Sequence, residues 1–179
     1  MKKIISLALF LAIGLLPQSL PAATLYDRFF GRDVKVYIAL PSDICEAKKT
    51  DCNGLKSELE KALKTRKSIH FEIVDSASAA DLIIEPEVSE FYWSATDPVD
   101  MIAGLGMTAM DAMKNQNYVR MQVTFTIRDV KNGSKELWKD KLVSTVTKDQ
   151  MNEEQSVPLI NEDMAATFIK ATFSKKSKK

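Results

Sequence analysis

The residues that could support chemistry are few and scattered. The sequence holds a single histidine, His70, and no Gly-x-Ser-x-Gly motif. It therefore gives no positive indication of a Ser-His-Asp hydrolase. Three carboxylates, Glu85, Glu87 and Glu90, cluster in one segment, where they could form an acidic ridge, a weak cation site or solvated charges that protect a sheet edge. Because strand neighbours alternate between faces, we expect Glu85 and Glu87 on one face and Glu90 on the other. We predict no catalytic residues and no enzyme.

The two cysteines, Cys45 and Cys52, are separated by six residues. A thioredoxin-like redox pair needs two intervening residues, and a zinc site needs further Cys or His ligands nearby. In an exported chain, an even number of cysteines indicates a disulfide. We therefore predict a structural Cys45–Cys52 disulfide that contributes on the order of 2 kcal/mol. We predict no metal site and no cofactor.

The elements that must position these groups follow from hydrophobic periodicity. Alternation over Val34–Leu40 predicts a first strand, and apolar residues at helical spacing predict a helix over 55–65. Alternation returns over Ile69–Ile73. A third strand begins at Leu82 and runs toward Trp93, and Pro86 indicates an edge or a bulge within it.

The second half of the chain contains the clearest hairpin. Val119–Ile127 alternates without a break, Asn132-Gly133 marks a tight turn, and Leu137–Thr147 returns as the partner strand. A final helix is predicted to begin at Pro158, with apolar residues four apart along one stripe. The fold class predicted is α+β: one mixed, mostly antiparallel sheet with two main helices on one face, in the order β-α-β-β-insertion-β-β-α.

An apolar insertion, residues 97–114, separates the third and fourth strands and holds half of the eight methionines. It could be a third core helix or packed loop, or an adaptable contact surface, since methionine side chains are flexible. A phosphate loop at Gly104-Leu105-Gly106 would need a third glycine and a following Lys-Ser/Thr, and the segment is too short to span a bilayer alone.

Three consecutive aromatic residues, Phe91, Tyr92 and Trp93, precede the insertion. They cannot all point inward from one strand, so at least one, Tyr92 being our choice, should lie at a surface or under the insertion. These aromatics and the insertion supply the residues that we predict to bind a partner: Phe91, Tyr92, Trp93, Met101, Ile102, Leu105, Met107, Met110 and Met113.

The chain begins as an exported protein does. A basic start, an apolar run over Ile4–Leu16 and small residues at Ala22 and Ala23 predict a signal peptide over residues 1–23, cleaved after one of those two alanines. A single domain over 24–174 follows, and then a Lys-rich tail over 175–179. Without the signal the chain has 23 basic and 24 acidic residues, which gives no electrostatic reason to bind nucleic acid.

The predicted element order resembles that of small bacterial envelope proteins whose domain is similar to the amino-terminal domain of TolB. The curli secretion channel's periplasmic domain and several outer-membrane assembly lipoproteins share this layout. The opening strand, the 55–66 helix, the strand pair near 69–84 and the hairpin carry the resemblance, and the chain departs from the lipoproteins in lacking a lipid-anchor cysteine. The resemblance implies a non-catalytic accessory of envelope assembly, secretion or transport.

We accordingly expect a periplasmic interaction or assembly protein, either outer-membrane associated or free. Its partner would be an envelope protein or a second copy of the chain. A peripheral contact of the Lys-rich tail with anionic lipids is an alternative. One alternative is a small-ligand or lipid carrier in which the Met-rich segment covers a cavity between sheet and helices. The other is a carboxylate-dependent hydrolase.

Overall fold

The computed structural model describes residues 24–40, 51–94, 116–149 and 151–175. In these ranges a sheet of five strands is accompanied by helices, together with a short 3-10 turn: α1 Leu25–Phe29, β1 Asp33–Ile38, α2 Cys52–Lys64, β2 His70–Ile73, the turn Ala77–Ala79, β3 Leu82–Ser94, β4 Gln116–Asp129, β5 Lys135–Asp149 and α3 Glu153–Thr172. The predicted signal peptide, Cys45 and the insertion 97–114 lie outside the described residues.

The strand order in the sheet is β2-β1-β3-β4-β5. The first strand runs parallel to β2 and β3, whereas β3, β4 and β5 form an antiparallel meander. The two main helices and this mixed sheet confirm the predicted α+β fold. The meander is much longer than β1, which pairs with β3 only as far as Ile38 opposite Ile84.

The position of Pro86 follows from that difference in strand length. Pro86 lies in β3 just past the end of its pairing with β1, where a residue without an N–H group is tolerated. The prediction of a sheet edge at Pro86 is therefore confirmed. The strand is continuous there, and its bulge lies farther along, between Val88 and Glu90.

The core lies between one face of the sheet and the two long helices. Helix α2 buries Leu55, Leu59 and Leu63, and α3 buries the stripe predicted from its spacing of four. Phe168 of α3 is fully buried, and its ring lies 4.5 Å from that of Phe125 on β4. Burial of a residue of this size contributes roughly 2–3 kcal/mol, so this contact is a main attachment of α3 to the sheet.

The predicted start of α3 at Pro158 is wrong. The helix begins at Glu153, where Asn152 and Gln155 form a capping box: each side chain accepts a hydrogen bond from the other's backbone N–H. Pro158 consequently lies inside the helix, in its second turn. The cap, together with burial of the α3 stripe, offsets the hydrogen bond that Pro158 cannot donate. At α2, Asp51 is the cap, and its side chain accepts a hydrogen bond from the backbone N–H of Gly54.

Helix α1 was not predicted, because five residues are too few to show a helical period. Thr24 caps it, and it buries Leu25 and Phe29. The predicted Asn132-Gly133 turn lies within a longer connection, residues 130–134, in which Gly133 and Ser134 have φ values of 70° and 58°, a left-handed conformation that glycine adopts without strain.

Candidate interaction surface on the open face of the sheet

One face of the sheet packs against α2 and α3; the other carries neither of these helices, and we call it the open face. On β4 the inward residues are buried, and the residues between them lie on the open face together with their partners on β3 and β5. The open-face residues of the three long strands include Ile83, Glu85, Glu87, Glu90, Tyr92, Tyr118, Arg120, Gln122, Thr124, Thr126, Arg128, Glu136, Lys139, Lys141, Val143, Thr145 and Thr147.

All three glutamates of β3 lie on this face. The prediction that Glu90 points to the opposite side is wrong, because the bulge between Val88 and Glu90 inserts one extra residue, Ser89, into the alternation. Glu90 is paired with Gln122, one of the open-face residues of β4. Ser89 donates a hydrogen bond to the Gln122 carbonyl oxygen (3.2 Å) and accepts one from its side-chain Nε2 (2.9 Å), which fastens the bulge.

The charges of the open face are arranged in two columns. We call the glutamates of β3 (Glu85, Glu87 and Glu90) the acidic column and the lysines of β5 (Lys139 and Lys141) the basic column. Strand β4 separates them, with uncharged side chains at the corresponding positions. Two strand spacings amount to about 10 Å, so the columns do not pair directly across β4.

Pairing within the molecule engages only part of these charges. Arg128 Nε lies 2.8 Å from Glu85 Oε2, and Arg120 Nε lies 4.0 Å from Glu90 Oε1. Within the described ranges, Glu87, Lys139 and Lys141 take part in no ion pair. The acidic and basic columns therefore both present unneutralised charge to solvent.

The end of the open face near the insertion is less polar. Tyr92 is 41% exposed and its ring lies 6.3 Å from that of Tyr118, while Val143 on β5 is 43% exposed. Between these strands lies Arg120, whose Nε is buried and has no hydrogen-bond partner in the part of the chain that the structure describes. Tyrosine and arginine are enriched among the residues that contribute most of the binding energy in protein–protein interfaces.

The predicted contact residues divide as strand geometry requires. Phe91 and Trp93 are paired with Met121 and Val119, so they point to the helix side and pack against the core. Tyr92 alone points to the open face, which confirms the prediction that it is the surface residue of the three. The remaining candidates lie outside the described residues: Met101, Ile102, Leu105, Met107, Met110 and Met113.

A shallow groove of about 550 Å³ lies on the open face where β1 ends. Tyr37 and Leu40 form one side of it, and Glu85, Glu87 and Lys139 line the other. The one histidine is not part of it: His70 is exposed on β2, at the edge of the sheet.

A second polar cluster joins α1 to the hairpin turn and borders a cavity of about 210 Å³. Asp129, 6% exposed, forms an ion pair with Arg28 and accepts a hydrogen bond from Asn132. Nearby, Asp81 accepts from Lys131 Nζ (2.6 Å) and from the backbone N–H of Lys35, and these bonds lower the pKa of Asp81. Asp129 and Asp81, the two shielded carboxylates of this cluster, both have charged partners, so we assign the cluster a structural role.

The described ranges contain no group of three or more His, Cys, Asp or Glu residues placed to hold a metal ion. They also contain no helix long and apolar enough to cross a membrane.

Sequence reasoning missed Arg120, Val143 and the position of Glu90. A signal for the last was available: Val88 and Phe91 are both apolar and three residues apart, and two inward residues at that spacing on one strand require a bulge. Val143 offered no signal, because an exposed valine has the same type and spacing as a buried one.

No protein-family model matches the chain, and no curated protein is significantly similar to it. Among solved structures, it is similar to a minor lipoprotein from Acinetobacter baumannii (16% identity over 75% of this chain and 87% of that one, TM-score 0.44). It is also similar to PelC from Paraburkholderia phytofirmans, a dodecamer (17% identity over 82% of this chain and 91% of that one, TM-score 0.45). A third similar structure is rare lipoprotein B from Shewanella oneidensis (13% identity over 76% of this chain and 91% of that one, TM-score 0.41). At these identities and TM-scores we draw nothing from them about function, and the TolB-like resemblance stays a prediction.

Proposed function

We propose that this protein is a non-catalytic interaction protein of the bacterial cell envelope, exported to the periplasm, and that it binds a protein partner through the open face of its sheet. The observation that carries the proposal is the exposed Tyr92 and Val143 beside Arg120 on a face that neither long helix covers. In this proposal the insertion 97–114 joins the contact surface, since it follows Tyr92 in the chain.

The polarity of the surface supports a protein partner rather than a lipid. A surface that binds acyl chains needs a continuous apolar area, whereas Tyr92 and Val143 are surrounded by charged and hydroxyl side chains. Protein interfaces combine a small apolar centre with a polar rim. The carrier alternative also needs a cavity between sheet and helices, and there the side chains of Phe125 and Phe168 are fully buried in mutual contact.

The carboxylate-dependent hydrolase has less support. Two cooperating carboxylates must each be available for proton transfer or nucleophilic attack. Two carboxylates line the groove, and one of them, Glu85, is hydrogen-bonded to Arg128. Among the described residues, Glu87 is then the one groove carboxylate without an ion pair. The groove is open to solvent, whereas active sites exclude water from the reacting groups.

Site-specific photo-crosslinking in the periplasm tests the proposal. A photoreactive residue at Thr145, which is exposed on the open face and separated from Tyr92 by β4, should give a specific crosslinked protein species. The same residue at Glu162, exposed on α3, is the matched control and should give none. Changing Tyr92 to Ala should reduce the Thr145 crosslink severalfold without unfolding the chain.

Deletion of 99–113 extends the test to the insertion. If neither the deletion nor Tyr92→Ala changes the crosslinked species or the oligomeric state, the proposal fails.

A further inference from the structure

The charge pattern of the open face identifies a partner class. Resting on the proposed function, we infer that the open face binds the open face of a second copy of this chain, so that the acidic column of each copy faces the basic column of the other. The columns belong to β3 and β5, which lie on either side of β4 in the same sheet.

The symmetry of such a pair follows from the strand order. A two-fold axis that runs along β4, between two facing sheets, exchanges the two sides of β4. It therefore places β3 of one copy over β5 of the other, and the contact is repeated identically on the other side of the axis. Glutamates then lie over lysines twice. On β4 the axis places Arg120 and Arg128 over their own copies, and these two arginines are paired within each copy with Glu90 and Glu85.

The register makes this correspondence specific to residues. Thr124 pairs with Glu87 on β3 and with Lys141 on β5, so all three lie in one row across the sheet. Thr126 likewise joins Glu85 and Lys139 in the next row. Rotation about β4 therefore brings Glu87 of one copy over Lys141 of the other, and neither residue has an ion pair of its own within the described part of the chain.

The exposed apolar side chains fit the same arrangement. Arg120 pairs with Tyr92 and with Thr145, and Val143 occupies the adjacent row of β5. Tyr92 of one copy would therefore lie over Thr145 of the other, and the second copy's Val143 lies about 7 Å farther along the same strand, where an aromatic ring can contact it. Both exposed apolar residues of these strands would become covered.

Charge exchange on the full chain without residues 1–23 tests the inference. Sedimentation equilibrium should show a dimer that dissociates as salt is raised. Glu87→Lys or Lys141→Glu alone places like charges opposite each other twice per dimer and should raise the dissociation constant about tenfold. The double variant restores opposite charges, and its dissociation constant should lie within about threefold of that of the original chain.

Mixing the two single variants gives an independent readout. One variant is then positive at both positions and the other negative, so the mixture should form heterodimers more tightly than either variant forms homodimers. Glu162→Lys on α3 makes the same change in net charge as Glu87→Lys and should leave the dimer unchanged. Circular dichroism should show every variant folded, because Glu87 and Lys141 are exposed.

Two outcomes overturn the inference. A chain that stays monomeric at about 100 µM has no such interface. A dimer whose dissociation constant is unchanged by both charge reversals forms through a different surface. In either case a crosslink from Thr145 to a different protein keeps the proposed function, whereas the loss of both the dimer and the Thr145 crosslink ends the proposed function as well.

Discussion

Glu90 lies on the same face of the sheet as Glu87, although the two residues are three apart in the chain. An uninterrupted strand would place them on opposite faces, and the extra residue at Ser89 accounts for the difference. The bulge therefore completes the acidic column, and it also directs Tyr92 to the open face while Phe91 packs inward.

The role of Ser89 as the extra residue gives a prediction about deletions. Deleting Ser89 should leave a regular strand in which Val88, Glu90 and Phe91 keep their faces. The free energy of unfolding should fall by about 1 kcal/mol through loss of the Ser89–Gln122 hydrogen bonds. Urea denaturation followed by tryptophan fluorescence measures the change.

Deletion of Glu87, two residues earlier, is the matched control. It would move the buried Val88 to the open face and bring Ser89 inward, and loss of the Val88 burial alone should cost about 1.5–3 kcal/mol. Equal destabilisation by the two deletions would contradict our account of the bulge.

Asp81 predicts a pH dependence of stability. Hydrogen bonds from Lys131 Nζ and from the backbone N–H of Lys35 lower its pKa below the ordinary aspartate value. A carboxyl whose pKa is lower in the folded than in the unfolded chain stabilises the fold fully above its unfolded pKa, and this contribution is lost as the pH falls through the folded pKa. Asp81→Asn should therefore weaken the acid dependence of unfolding below about pH 4.

NMR titration of the Asp81 carboxyl carbon checks this directly. Lys131→Met removes the larger cause and should move the Asp81 midpoint upward, whereas Lys67→Met on a distant exposed loop should not. A midpoint that is the same in the folded chain and in a short unfolded peptide would refute the prediction.

Elements with a regular apolar period were predictable from the sequence, and those that depend on local interruption were not. Strand β4 alternates without a break, and its predicted range lies within the observed Gln116–Asp129. The start of α3 was missed because Pro158 is a common first helical residue, and only Asn152 with Gln155 indicated the earlier cap. A single extra residue such as Ser89 moves the side chains that follow it to the other face of the strand, and it hardly changes the composition of the segment.

The candidate surface was predictable only in part, since exposure is a property of the assembled sheet. The aromatic run predicted one outward residue, and Tyr92 is that residue. The pairing of acidic and basic columns depends on the registers of β3, β4 and β5, and the register of β3 on β4 is set by pairing between strands that an insertion separates in the chain. No local pattern contains that information.

Gly54 in the first turn of α2 gives a prediction that runs against helix propensity. A Cβ atom there would lie 2.8 Å from Asn161 Nδ2 and would collide with the carboxylate of the capping Asp51. Alanine is favoured over glycine in helices by about 1 kcal/mol, yet Gly54→Ala should lower the melting temperature because it displaces the cap. Asn53→Ala at the neighbouring exposed position should have little effect, and a more stable Gly54→Ala chain would be inconsistent with this packing.

The predicted disulfide remains open to a simple test. Cys52 is the buried first residue of α2, and its predicted partner Cys45 lies outside the described residues. Protein purified from the periplasm should react with iodoacetamide only after reduction, as read by mass spectrometry. Replacing both cysteines by serine should lower the free energy of unfolding by on the order of 2 kcal/mol. Two alkylated cysteines without reduction would show that the prediction is wrong.

Arg28 and Asp129 attach helix α1 to the end of β4, and their coupling can be measured. Asp129 is buried, so removal of Arg28 leaves its carboxylate with Asn132 as the remaining side-chain donor, whereas Arg28 is half-exposed and can return to water. Arg28→Ala should therefore cost about 1–3 kcal/mol of stability, and the cost should fall when Asp129 is already alanine. A double-mutant cycle should give a coupling of about 0.5–3 kcal/mol. Strict additivity would mean that α1 is held by burial of Leu25 and Phe29 alone.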